Sequence, residues 1–199
     1  DGGDQWISDD SRIGLCHRRL AIIDPDIRAS QPMSINQRYW ITFNGEIYNF
    51  QTLRSKLKRE GVIFTTQSDT EVLLRLYERD GAEMVQKLRG MFAFIIWDEV
   101  KRQLFMARDA FGIKPLYICD DGVMVRVAST VKALRAGGHA GNAGPDPAGH
   151  VGFFLFGSVP EPHTLYADIE ALPAGHTLSI EFNGRRTLVP YFDVREILV

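Results

Sequence analysis

Apolar and polar positions change their spacing several times along the chain, and each change predicts an element. Ile13 to Ile23 is rich in Ile and Leu and predicts a strand, ended by the turn Asp24-Pro25-Asp26; Gln5-Trp6-Ile7 suggests a shorter strand before it. Tyr39 to Phe43 predicts another strand. Phe50, Leu53 and Leu57 share a helical face, which predicts a helix over 50–60 with Asn49 as its cap and Gly61 as its stop. Ser68-Asp69-Thr70-Glu71 matches a capping box and opens a helix carrying Val72, Leu73, Leu76 and Tyr77, closed by Gly81; a short helix follows near 82–88. Met91 to Trp97 carries no charge and suits a strand buried on both faces. The polar turn 98–103 leads back into a strand, Leu104 to Ala107. Residues 116–118 and 123–128 form a hairpin around Asp121-Gly122, and Thr130 to Arg135 a short helix. Residues 137–149 read as a Gly-, Ala- and Pro-rich loop, and 151–156 as an apolar segment of open type. Residues 176–182 and 186–192 predict a last hairpin around Asn183-Gly184. The mixture predicts an α+β fold, strand layers covered by a few helices.

Composition narrows the partners more than the fold. The 199 residues are 45% hydrophobic and 24% charged, with a formal charge of -2, so nothing favours nucleic acid or an anionic membrane. No apolar run approaches the ~20 residues of a membrane span, no signal peptide opens the chain, and a cytoplasmic setting is expected. Two cysteines, Cys16 and Cys119, give neither a disulfide framework nor zinc spacing, and the five histidines show no ligand pattern, so no metal is expected. The opening Asp1-Gly2-Gly3-Asp4 lacks an initiator Met and suggests a fragment or a processed product.

Four segments gather polar groups at element ends. Asn44-Gly45-Glu46 follows a strand; an Asn-Gly pair there predicts a tight turn, and also offers an amide and a backbone N–H for an oxyanion beside a carboxylate. Arg18 and Arg19 point to opposite strand faces, so one of them could offer a carboxylate a planar fork while the other stays in solvent. Asp69 in a first helical turn suits the helix dipole or a ligand ammonium. Arg108 to Tyr117 reads as a salt-bridged turn with Gly112 at positive φ. Cys16 and His17 fall on opposite faces and form no dyad; both cysteines read as small buried hydrophobes.

Taken in order, Arg18 to Asp24, Phe43 to Asn49, Ser68 to Glu71, Gly90 to Phe94, Arg108-Asp109 through Gly112 to Tyr117, and Val159-Pro160 through Leu172 to His176 resemble the glutaminase domain of glutamine-hydrolysing asparagine synthetases, class II amidotransferases of the N-terminal-nucleophile type. The resemblance implies a four-layer αββα sandwich of two antiparallel sheets. It divides the chain into an amidotransferase core (1–136), a loop (137–150) and the end of the domain (151–199). It implies that Arg19 pairs with the α-carboxylate of glutamine, that Leu20 and Ile22 line the pocket, that Asn44 and Gly45 form the oxyanion hole, and that Glu46 and Asp69 hold the α-amino group. Glu46 after Asn-Gly favours the synthetase branch over sugar- and purine-pathway amidotransferases.

The family's nucleophile is an amino-terminal Cys whose α-amine is the base; this chain opens on Asp, which implies that the nucleophile strand and first helix are lacking and that the 199 residues alone release no ammonia. ATP and Mg would belong to a separate synthetase domain, whose Ser-Gly-Gly loop is not found here. Two other readings stay open: a glutamine-binding or dimerisation module without catalysis, and an amidotransferase serving another acceptor. Loss of a central strand also exposes edges that a homodimer could cover.

Overall fold

The computed structural model describes residues 2–19, 27–138 and 142–194, with the backbone alone at Arg19 and Ile27. Its largest sheet is built on the uncharged run foreseen as doubly buried. Strand β5 (Gly90–Asp98) sends Phe92, Phe94 and Ile96 to one side and Ala93 and the partly buried Ile95 to the other, and each set packs into a hydrophobic cluster. Antiparallel partners flank it: β4 (Tyr39–Ile47) and β3 (Met33–Ile35) on one side, β6 (Gln103–Arg108), β10 (His176–Glu181) and β11 (Arg186–Pro190) on the other. Helices α1 (Phe50–Arg59) and α2 (Asp69–Asp80) cover the first face through Leu53, Leu57, Val72, Leu73 and Leu76.

On the opposite face lie two smaller sheets. The hairpin β1 (Gly2–Ile7) and β2 (Gly14–Arg19) is anchored by Trp6 stacking on Trp40, with centroids 4.3 Å apart. Strands β7 (Tyr117–Asp120), β8 (Val125–Ala128) and β9 (Ile169–Ala171) form the other, joined to the large sheet through Met106, Leu116, Leu172 and Leu178. Helix α3 (Val131–Ala136) covers the outer side of that sheet through Leu134. The layering is that of an αββα sandwich. Among the described residues, β2 pairs only with β1 and β8 only with β7, so the second sheet layer is divided.

Several local expectations change. Asn44-Gly45 is not a tight turn: β4 runs on to Ile47, paired from Tyr39↔Asp98 to Ile47↔Gly90, and the chain turns at Tyr48-Asn49. Glycines facing this ladder explain it. A Cβ at Gly45 (φ 151°) would overlap the Met91 carbonyl oxygen, and one at Gly90 (φ 159°) the Glu46 carbonyl oxygen. Gly45→Ala is therefore expected to cost about 3 kcal/mol in urea unfolding, through overlap and strained backbone together. Asn49 precedes α1 without a side-chain cap; its amide instead joins the Lys87 carbonyl (2.9 Å) to the Arg89 N–H (3.0 Å). Ser68 does cap α2 at the Thr70 N–H, whereas Glu71 fastens Thr65 and Thr66 rather than Ser68. The loop predicted over 137–150 ends sooner, because α4 (Pro147–Phe156) starts with Asp146 accepting the Ala148 N–H and Pro147 in the first turn. Cys16 is exposed, not buried, since the face of the small hairpin that carries it is uncovered; Cys119 is buried as expected.

Candidate functional site

The end of β4 carries the chemistry. Phe92, across the ladder from Gly45, directs both backbone groups to Asp109: its N–H donates to Oδ2 (3.2 Å) and its carbonyl accepts from the Asp109 N–H (2.7 Å). Gly45 is thus in a non-hydrogen-bonded pair and turns its N–H toward the other edge of β4. On that edge the Phe43 N–H is taken by Gln31 Oε1 (2.6 Å) and the Ile47 N–H by Asp69 Oδ2 (3.2 Å). Between them the Gly45 N–H has no partner among the described residues. The Asn44 amide and the Glu46 carboxylate likewise have no hydrogen-bond or ion-pair partner there, although neither is fully buried.

Asp69 is the buried acid of the group, 4% exposed at the first position of α2. Burial pushes its carboxyl above the usual carboxylate range and the charge of Glu46 adds to this, against the hydrogen bonds from Ile47 and Thr70. A buried acid whose proton is held more tightly than usual is one whose ionised form a cation would stabilise.

Beside this strand end lies a groove of about 820 Å³, open between the β1–β2 hairpin and β8 and lined by Gly3, Cys16, Arg18, Asn44, Ala128 and Ser129, among others. A smaller cleft of about 100 Å³ continues it inward past Ala93 and Leu116. The divided sheet layer thus presents two strand edges across a gap with Asn44 on its floor. His17 fixes the hairpin here, donating from Nε2 to the Phe43 carbonyl (3.1 Å).

The structure brings Asn44, Gly45, Glu46 and Asp69 to one place. Arg19 ends β2, paired with Gly2 two residues beyond His17; Leu20 and Ile22 lie outside the described residues. Arg18 lines the groove. Gln31 and His17 had not been singled out as clamps. Gln31 also donates to Thr70 Oγ1 (3.2 Å), tying β4 to α2, and no periodicity marks a loop residue for such a role. In the segment expected to be a salt-bridged turn, Arg108 pairs with Glu161 (2.7 Å) rather than Asp109 and donates to the carbonyls of Gly112, Lys114 and Leu172. Among the described residues no group of His, Cys, Asp and Glu could hold a metal ion, and no helix is long and apolar enough to cross a membrane.

A family model described as a glutamine amidotransferase domain matches residues 1–192. The chain is 42% identical over 184 residues to "Asparagine synthetase [glutamine-hydrolyzing] 1" of Bacillus subtilis, covering 92% of this chain and 29% of that protein. It is 40% identical over 175 residues to a putative asparagine synthetase [glutamine-hydrolyzing] of Mycobacterium tuberculosis, covering 79% and 25%. The matched part therefore spans under a third of either of these two relatives. Among solved structures, glutamine phosphoribosylpyrophosphate amidotransferase from B. subtilis superposes with a TM-score of 0.63 at 26% identity, over 89% of this chain and 34% of that one.

Proposed function

Since the chain belongs to the glutamine amidotransferase domain family, we propose that the end of β4 is a glutamine site. One observation carries the reading: the Gly45 N–H, without a partner among the described residues, placed between two occupied N–H groups and beside a buried acid. The Gly45 N–H and the Asn44 amide would stabilise the oxyanion formed when the side-chain amide is attacked, each donor contributing about 3–4 kcal/mol in the transition state. Asp69 and Glu46 would bind the α-ammonium, and Arg19 the α-carboxylate, with Leu20 and Ile22 lining the pocket. Released ammonia would serve the amidation of aspartate on a synthetase domain, as the names of the relatives suggest, with ATP and Mg used by that domain. A cytoplasmic setting fits this chemistry.

The nucleophile would be a cysteine on a strand lying in the 820 Å³ groove, where it would join the edges of β2 and β8 and pass over Asn44. Cys119 is buried away from it, and Cys16, although exposed in the groove, is not the amino-terminal residue that the family's nucleophile requires. Ammonia release separates the cases. The 199 residues alone are expected to release none from glutamine. A polypeptide that carries an additional amino-terminal strand beginning with Cys is expected to do so. Turnover by the 199 residues that Cys16→Ser abolishes would overturn the assignment.

Binding should depend on pH in a direction set by Asp69. Its folded pKa is raised, so the folded protein holds the proton more tightly than the unfolded chain. Its ionised form therefore lowers stability as pH rises through the window between the unfolded and folded pKa values. A ligand ammonium favours that ionised form. Glutamine affinity is thus expected to fall with decreasing pH through a midpoint above ordinary aspartate, while the unliganded protein gains stability. A pH series of titrations, with an analogue lacking the α-amino group as control, checks both.

A further inference from the structure

Helix α4 is inverted relative to a surface helix. Its buried positions are Gly149 and Gly152, and its bulky ones face outward. A Cβ at Gly149 would overlap the Thr164 backbone and one at Gly152 the Pro160 ring, so the helix lies against the protein by its glycines. Val151, Phe154, Leu155 and Phe156 are 57, 82, 70 and 71% exposed, and Phe153 47%. The three phenylalanines alone leave roughly 400 Å² in water, at about 200 Å² per ring. That is the size of the largest contiguous apolar patch on a typical monomer, and such patches are often functional.

We infer that α4 is the docking face for a further domain of the same polypeptide, one that presents an apolar recess to Phe154 and Phe156. The inference rests on the reading of this chain as one domain of a larger amidotransferase. Three observations select this occupant. The chain spans only 25–38% of its synthetase relatives, so similar polypeptides carry much more chain that needs seating. The three rings supply only about half of the ~800 Å² of total surface per partner typical of specific complexes, and one helix alone presents them. Two free copies would be held weakly by it, whereas a tethered domain meets it at effective concentrations around millimolar. Third, a string of contacts joins α4 to the last described residues. Pro160 packs on Gly152, Glu161 pairs with Arg108, Arg108 holds Gly112, and neighbouring Phe111 packs on Phe192 at 5.5 Å. A membrane surface is a poorer fit, because α4 has no Lys or Arg to face lipid headgroups.

Hydrogen exchange tests this by comparing the 199-residue chain with the longest natural polypeptide that contains it. The α4 amides are expected to exchange at least tenfold more slowly in the longer form. The double change Phe154→Glu and Phe156→Glu should remove that protection, speed proteolysis between the domains at least tenfold, and leave glutamine affinity unchanged. Equal exchange in both forms would overturn the inference. So would micromolar dimerisation of the 199-residue chain that the double variant abolishes, which would assign α4 to a second copy, or binding of α4 to anionic vesicles. If wild-type protein fails to bind glutamine while α4 remains protected, the site reading falls and the docking face stands.

Discussion

Asp109→Ala is expected to destabilise the protein by more than about 4 kcal/mol, a large part of the 5–15 kcal/mol that holds an ordinary domain together. Asp109 is 1% exposed, and its carboxylate accepts four backbone N–H groups: Phe92 (3.2 Å), Phe111 (3.1 Å), Ile113 (2.9 Å) and Lys114 (2.9 Å). Its own carbonyl accepts from Gly112 and Gly175. Alanine would leave the four donors without an acceptor, and each buried unsatisfied group costs about 1–3 kcal/mol. Partial rescue by water keeps the sum below the simple total. Asp109→Asn keeps some acceptor capacity and should fall between wild type and alanine. The effect reaches the site, because Phe92 is the cross-strand partner of Gly45 and its attachment to Asp109 leaves the Gly45 N–H turned outward. Urea unfolding of the three proteins checks this; an alanine variant within about 1 kcal/mol of wild type would contradict the role given to Asp109.

Asp69→Asn is expected to weaken glutamine binding by about 10- to 100-fold, the range of a charge-assisted hydrogen bond worth about 1.5–3 kcal/mol. The same substitution should leave the unliganded protein as stable as wild type, or more so. Asparagine retains an oxygen for the Ile47 N–H, now accepted at 3.2 Å, and removes a charge that burial and Glu46 both disfavour. A gain in melting temperature with a loss of affinity is the signature of a residue kept for a ligand at a cost to the fold. A purely structural aspartate would lose stability and leave affinity alone. Calorimetry with glutamine and a thermal melt on one preparation distinguish the two.

Much of this architecture was legible because burial leaves a period in the sequence. The β5 run, the α1 and α2 faces and the Asn183-Gly184 hairpin all follow from apolar spacing and turn residues. Asn44-Gly45 misled as a turn because the Asn-Gly signal reports tolerated φ values, while here the glycine is required by close approach of β5. Helix α4 was hidden by the glycines that seat it, although Asp146-Pro147 carries an ordinary helix start. The acids and amide of the site could be selected by residue type and by family resemblance. The clamps Gln31 and His17, and the way Asp109 frees the Gly45 N–H, depend on strand register, which no local pattern encodes.

The central claim is that the end of β4 recognises glutamine by its α-ammonium and its side-chain amide. A calorimetric titration of the protein with glutamine, beside the same acid lacking the α-amino group, tests it most directly. The account predicts saturable one-to-one binding tighter than about 1 mM, the upper end of ordinary substrate constants, and none with the deaminated analogue. Equal affinity for both compounds, or no saturable heat with glutamine, would contradict it.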